Sequence, residues 1–526
     1  MHLRWGWVRA GVIATALGGV GLSTGCSSTG EVPEPPGSIG CDEVSSAECA
    51  PREPPAEESP APPPPDAPPP PDDGHQDTGD VPTPPPPRPP PGPGGTLWME
   101  REGTPQDDLA LDAAVDAAGD VYTVAVHGLD DLHTRQPSDD TVRLVLTRRA
   151  ATGEKRWSRT FEVRAPETPE SLRANVRAWL ATDPTGGVLL AGNAWGTIDF
   201  ETRELGDSAF VARLDGDGRL VWATLASGDG LTVADVAVDS RGRAQVAFNT
   251  AGPADFGGGV RASSPAVVTY TPDGRAERAL RVGRPESDAD RVELTTLAVD
   301  GRGRLAVGGR YTGTVRFGGQ TSASARQGSP FLAMYDDTGA LAWAKPLHPA
   351  TGSVTQVAVD GQGAVVATGP FHGALTWAGT PLQGHAWRAT PFLLAADASG
   401  RERWSRNLGD GVQTGALAVE PSGALVVAGF TYNRMEEGAA GPDGLGSSQL
   451  VALRYGADGN WLATRMFLSS PPESRGELYG LEALSSLLLL PGGDALLYGH
   501  TDRDTDFGFG RDSAARGDVF LLRLMR

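Results

Sequence analysis

One short pattern recurs seven times along this chain and constrains its fold more than any other feature. It is an apolar run, an acid, two residues and a glycine. It reads AAVDAAG, LATDPTG, VAVDSRG, LAVDGRG, VAVDGQG and LAVEPSG, with LLLLPGG as a worn seventh copy. The glycines are Gly119, Gly186, Gly242, Gly303, Gly363, Gly423 and Gly493. Self-similarity at intervals of 56 to 70 residues marks a repeat architecture, in which each unit buries its apolar faces against its neighbours.

Each unit continues in the same way. A second apolar strand follows the glycine, as in VYTVAV, VLLAGN, LAVGGR, VVATGP, LVVAGF and ALLYGH. Then come a third strand, a turn and a Trp, clearest in FVARLDGDGRLVW (Phe210–Trp222), FLAMYDDTGALAW (Phe331–Trp343) and FLLAADASGRERW (Phe392–Trp404). In these three, Asp stands five residues after Phe, Gly eight and Trp twelve. The first unit keeps Gly153 and Trp157; Arg278 and Ala463 occupy the Trp position in the third and sixth. Asp bonds its own backbone ahead and Gly supplies the positive φ of a bulged hairpin, so each Asp-x-x-Gly reads as a tight turn. Four short strands per unit, dense turn signals and no helical period predict an all-β fold, a seven-bladed β-propeller of four-stranded blades. The repeated acids Asp116, Asp183, Asp239, Asp300 and Asp360 are expected to hold turns. Trp98, Trp157, Trp222, Trp343 and Trp404 are expected to cap the core between units.

The ends of the array fit one another. The last unit starts its third strand at DVFLLRLMR, while GGTLW at 94–98 offers Gly94 and Trp98 at the spacing of the missing fourth strand. The expectation is that the N-terminal strand completes the last blade and closes the ring, which removes exposed sheet edges.

What precedes the array is of a different kind. MHLRWGWVR carries Arg4 and Arg9, and AGVIATALGGVGL is too short to span a bilayer comfortably. LSTGC (Leu22–Cys26) resembles the bacterial lipoprotein box, with Ser23 where that family prefers Leu. The resemblance implies a signal peptide over 1–25 and lipidation of Cys26, which becomes the new N-terminus; several acyl chains anchor stably where one is marginal. Ser27 rather than Asp implies the outer membrane by the same resemblance. All three cysteines fall within the first 49 residues. Cys41 and Cys49 could close a small disulfide loop in an oxidising envelope, in a segment 26–50. None remains for thiol chemistry in the repeats. Residues 51–93 are a proline-rich, acidic linker, with APPPPDAPPPPDD and PTPPPPRPPPGPGG. Such composition cannot bury a core and predicts a disordered, extended polyproline stalk, on the order of 140 Å at full stretch. Over 31–95, thirteen acids face only Arg52 and Arg88, so −11 of the formal net charge of −21 lies there. The folded part, 94–526, is mildly acidic, and a nucleic-acid partner is not expected.

The repeats also resemble the bacterial seven-bladed β-propeller repeat family abbreviated SBBP. The stretches that carry the likeness are GTIDF, GPADFGGG, YTGTVRFGG and FHGALTWAG, followed by the Phe-to-Trp strands above. The resemblance covers 94–526 and implies fold; it implies little about activity. Quinoprotein propellers carry a superficially similar Gly-x-x-x-Trp, but there the Asp precedes the Gly by four residues, and here by three. No cofactor is therefore expected.

Candidate chemistry is sparse. TDRDTDFGFGRD sets Asp502, Asp504 and Asp506 at alternate positions, as a calcium loop begins, yet Gly stands seventh and Ser513 twelfth. No HExxH or GxSxG is present. His127, His133, His348, His372, His385 and His500 fall in different units or loops, and His2 and His75 lie before the repeats. Acids recurring at one place in six of the seven units point to structure, because a catalytic site needs different residues in different units. The diverged connections 128–142, 162–176, 431–449 and 470–480 are where function is expected. The expectation is a monomeric envelope lipoprotein, membrane-anchored on its periplasmic or surface face, that binds or scaffolds a protein or glycan without catalysis. A propeller-fold lyase or hydrolase, or an envelope assembly scaffold, is the alternative.

Overall fold

The computed structural model describes residues 95–105, 107–129, 141–164, 176–194, 197–200, 203–205, 208–325, 327–385, 389–409, 412–433, 445–469, 483–501, 505–508, 511–512 and 518–526. Cys26, Cys41, Cys49, His133, Asp502, Asp504 and the stretches 130–140, 165–175, 434–444 and 470–480 of the four diverged connections lie outside them.

Every described element is a strand, and the strands pair antiparallel. The first unit runs Asp107–Val115, Val121–Leu129, Thr141–Arg149 and Lys155–Arg164, each strand bonded to the next. The second repeats this with Arg177–Thr182, Val188–Ala194, Ser208–Leu214 and Leu220–Gly228. The third, fourth, fifth and sixth begin at Thr232–Val238, Arg291–Val299, Gln356–Val359 and Val412–Val419. The last sheet is assembled from both ends of the array. Ala483–Leu489, Ala495–Thr501 and Asp518–Leu524 are followed by Thr96–Glu102, which pairs with Asp518–Leu524 in the register Met99 to Leu522 and Glu102 to Val519.

The first strands of successive units lie beside one another, and Ala483–Leu489 of the last lies beside Asp107–Val115 of the first. The core sits between sheets. Each cluster of buried side chains draws on two consecutive units. One joins Tyr122 and Leu146 to Leu190 and Phe210; another joins Val121 and Ala125 to Tyr498 and Leu521. Both faces of a sheet are thus covered, which is why Ser329–Tyr335 and Thr390–Ala396 are buried along their whole length instead of alternating.

Three sheets have six strands where four are expected. The extra pair is the short hairpin in the connection between second and third strands. Thr197–Phe200 bonds to the outer strand of the unit before it, at Val163, as do Ala254–Asp255 at Gly228 and Thr505–Asp506 at Leu468. These are the IDF, ADF and TDF stretches. Their aromatic residue is fully buried: Phe200 lies 4.8 Å from Phe161 of the preceding unit and 5.6 Å from Phe210 of its own. Such ring contacts add roughly 1 kcal/mol beyond area burial, so each hairpin works as a clasp between units.

Candidate functional site

Because strands alternate in direction, the two hairpin turns of a unit leave from one end of its sheet. The other connections leave from the opposite end. The two ends are built from different chemistry.

At the turn end, the repeated acids are consumed by their own backbone. Asp239 Oδ1 accepts from the N–H groups of Arg241 and Arg243, both at 2.9 Å, and its Oδ2 takes Arg243 Nε at 2.8 Å. Asp300 does the same with Arg302 and Arg304, and Asp360 with Gln362 and Ala364. Asp116 accepts from Ala118 and Asp120 and from Arg148. Asp183 accepts from Thr185, Gly187 and Arg213. Burial alone would raise the Asp183 carboxyl; the hydrogen bonds from Thr185, Arg213 and Gly187 outweigh it and hold the group below the usual carboxylate range. In the second turn of the fifth unit, the Ser399 hydroxyl brings half-buried Asp397 down to about 2.

The second turn carries the contact between units. Gly153, Gly218, Gly274, Gly400 and Gly459 all take positive φ, and each lies under the Trp of the preceding unit. A methyl group on Gly153 would meet the Trp98 ring at 3.4 Å, and one on Gly218 the Trp157 ring at 3.1 Å. At Gly274, Gly400 and Gly459 it would drive into Trp222, Trp343 and Trp404. Only glycine satisfies both demands. Four of the indoles also donate to the carbonyl two residues before that glycine: Trp157 to Gly216 at 2.8 Å, Trp222 to Pro272 at 2.8 Å, Trp343 to Ala398 at 3.3 Å and Trp404 to Ala457 at 2.9 Å. The buried Trp98 Nε1 finds no partner among the described residues. The corresponding carbonyl, of Ala151, is taken by Arg523 Nη1 at 2.6 Å.

The two units that lack Trp have separate explanations. Arg278 reaches the Asp337 and Thr338 carbonyls of the next turn and replaces the indole donor. Ala463 faces the last unit, whose third and fourth strands, Asp518–Leu524 and Thr96–Glu102, are joined by no turn. There is no glycine for an indole to cover.

Around the inner strands, polar side chains serve neighbouring backbone. Asp112 Oδ2 accepts from Leu180 N at 2.9 Å, Asp235 Oδ2 from Leu297 N at 2.8 Å, Thr296 Oγ1 from Val357 N at 3.2 Å and Ser486 Oγ from Ala113 N at 2.9 Å. Each links one unit to another, and each accepting side chain stands at a bulge of its own strand. A cavity of about 90 Å³ lies among Asp112, Gln356, Ala416, Ser485 and Leu488. It exists where Ala416 and Ser486 stand at the position held by Trp179 in the second unit.

At the other end, one side-chain cluster stands out. Asp108, with no exposed surface, lies 3.0 Å from His127 Nδ1, accepts from Gly128 N at 3.0 Å, and takes the Thr104 N–H and hydroxyl. Asp518 and Arg101 are beside it, 3.9 Å apart. The sequence shows His127 only as one of several dispersed histidines, and Asp108 carries no motif. The other histidines are dispersed. His348 is exposed, His372 Nδ1 lies 3.3 Å from the His385 carbonyl, and His500 is buried with Nδ1 unpartnered among the described residues. Burial pushes His500 down to about 4. Asp506 accepts from Gly508 N within its hairpin, and among the described residues no three His, Cys, Asp or Glu are grouped to hold a metal.

The sequence matches no family model and no curated protein sequence. Among solved structures, a polysaccharide lyase of family PL25, an ulvan lyase, is 10% identical with a TM-score of 0.44, over 76% of this chain and 93% of that one. YCF48 bound to D1 peptide is 11% identical with a TM-score of 0.36, over 83% of this chain and 100% of that one. Hydrazine synthase of Kuenenia stuttgartiensis is 11% identical with a TM-score of 0.40, over 74% and 93%. These likenesses concern the path of the chain and bring no activity to it.

Proposed function

We propose that this chain is a cell-envelope lipoprotein, anchored through Cys26, that carries a closed seven-bladed β-propeller on a proline-rich stalk and binds or scaffolds a protein or glycan without catalysis. Closure is supported by the pairing of Thr96–Glu102 with Asp518–Leu524 and by the succession of inner strands. The observation that carries the binding reading is the contrast between the two ends. At the turn end, the same Asp and Gly recur and their polar groups are spent on the turn itself. At the other end, the strand ends Leu129 and Thr141, Arg164 and Arg177, Asn433 and Leu445, and Ser469 and Ala483 bracket four connections with unrelated sequences. A fixed scaffold bearing variable connections on one end is the arrangement of a binding module. The described chain starts at Gly95, at the opposite, turn end, where Met525 N donates to its carbonyl at 2.9 Å.

The test is labelling with palmitate and membrane fractionation of the wild type and Cys26→Ala. The reading expects Cys26-dependent label in the outer-membrane fraction. Soluble release of an unlabelled wild type overturns it. The enzymatic alternative draws on one observation, the Asp108–His127 pair near the diverged end. It requires that His127→Gln abolish turnover of some polysaccharide while leaving its binding intact.

A further inference from the structure

The strand Thr96–Glu102 is held in place differently from every other outer strand. Within the other units a tight turn ties third strand to fourth, and the turn's glycine is clamped by an aromatic or arginine side chain of the unit before. Here no turn exists, the clamping position is Ala463, and the strand's own Trp98 lacks the indole hydrogen bond made by its four counterparts. What distinguishes its own ring from any other for this strand is the short connection after it, which starts at Gly103, Thr104 and Pro105 and leads into the first inner strand.

That connection is bonded by one buried carboxylate and packed against a second. Asp108 accepts both the Thr104 N–H and its hydroxyl, and is itself braced by Gly128 N and His127 Nδ1, each at 3.0 Å. Asp518, on the strand that Thr96–Glu102 pairs with, approaches Gly103 so closely that a Cβ there would collide with its Oδ1. Both carboxylates therefore recognise the chain only where it folds back after Glu102.

We propose that Thr96–Glu102 is an exchangeable closing strand, latched into its own ring by Asp108 and Asp518 at Gly103–Thr104, and that with the latch open it pairs with Asp518–Leu524 of a second copy of this chain. The proposal rests on the ring-closure reading above. Exchange restores the same register, Glu100 opposite Leu521, and the same buried contacts of Trp98 and Met99. The strand itself then gains or loses nothing, and the hinge decides the outcome. Short hinge loops invite swapping, and substitutions in the hinge are a recurrent trigger for it. In the exchanged form the hinge is stretched, and Thr104 leaves Asp108.

The test uses the full chain with Cys26, Cys41 and Cys49 changed to serine. A control chain carrying both Glu100→Cys and Leu521→Cys is oxidised; closure within one molecule gives a bridged monomer. Chains carrying only Glu100→Cys are then refolded with chains carrying only Leu521→Cys, with the latch intact or opened by Asp108→Asn or by Gly103→Ala. Two latch variants are used so that failure of one to fold leaves the other. The expected result is at least a tenfold rise in bridged heterodimer when the latch is opened. A bridged control with no rise in either latch variant overturns the exchange alone. A control that does not bridge overturns ring closure, and the exchange with it.

Discussion

The contact between the fifth and sixth units and the contact between the last and first solve one packing problem with unequal parts. In the former, Trp404 is nine-tenths buried, covers Gly459 and donates to the Ala457 carbonyl. In the latter, Trp98 covers Gly153 but its indole N–H is unpartnered among the described residues. Charge makes up part of the difference. Glu102, on the closing strand, pairs with Arg149 and with Lys155 at 2.7 Å in the first unit. Arg523 of the last unit donates through Nη1 to the Ala151 carbonyl of the first at 2.6 Å. The lesson is that the contact where the two ends meet keeps the indole cover over a turn glycine, loses the indole hydrogen bond and adds the Glu102 ion pairs.

The largest effect that would sharpen this comparison is from Trp404→Ala. Removing a buried Trp leaves a cavity and should cost about 3–5 kcal/mol in urea unfolding. Trp98→Ala should cost about 1 kcal/mol less, since no hydrogen bond is lost. Equal losses would mean that the two contacts are equivalent.

Next in size is a pH effect within the last unit. His500 has a folded-state value of about 4, below the ordinary 6.5, because burial disfavours its charged form. Between these values the unfolded chain binds the proton and the folded one does not. Stability should thus fall as pH drops from about 6.5 to about 4, by up to ~3 kcal/mol. Phe430 holds the equivalent place in the sixth unit, so His500→Phe should flatten the profile in that window. An unchanged profile would show that His500 is not the group responsible.

The turn acids give a smaller contrast. Asp239→Ala strips two part-buried N–H groups of their acceptor, and the Arg243 side chain of its partner, and should cost about 1–3 kcal/mol. Asp397→Ala, at a more open turn, should cost less than Asp239→Ala. The reverse order would break the distinction between buried and more open turns. Smallest of all is Ala463→Trp. With no glycine turn to cover, the new indole should change stability by less than ~0.5 kcal/mol; a gain comparable to the loss from Trp404→Ala would mean a hidden partner.

What was legible in the sequence is local chemistry. An Asp that bonds its own backbone and a Gly at positive φ lie within five residues of each other, so the turns at Asp239 and Asp300 can be read without a structure. The all-β architecture of antiparallel strands follows from those turns and the apolar runs between them. The pairing of Trp98 with the last unit's geometry was legible only because the repeat supplied a template. Contacts between units leave no such local mark. The hairpins ending in Phe200, Phe256 and Phe507 read as a motif, but that they clasp the preceding unit depends on residues such as Phe161, some forty positions away. Asp108 was missed for the same reason: its partners Thr104, His127 and Gly128 converge only through folding, with no spacing that advertises them. The diverged connections showed where function is expected, without the chemistry of a ligand.

The central claim is that the first strand completes the last sheet. Hydrogen exchange followed by mass spectrometry tests it directly. The account predicts that amides of Thr96–Glu102 are protected together with those of Asp518–Leu524. Free exchange across Thr96–Glu102, with Asp518–Leu524 still protected by its other neighbour, would contradict it.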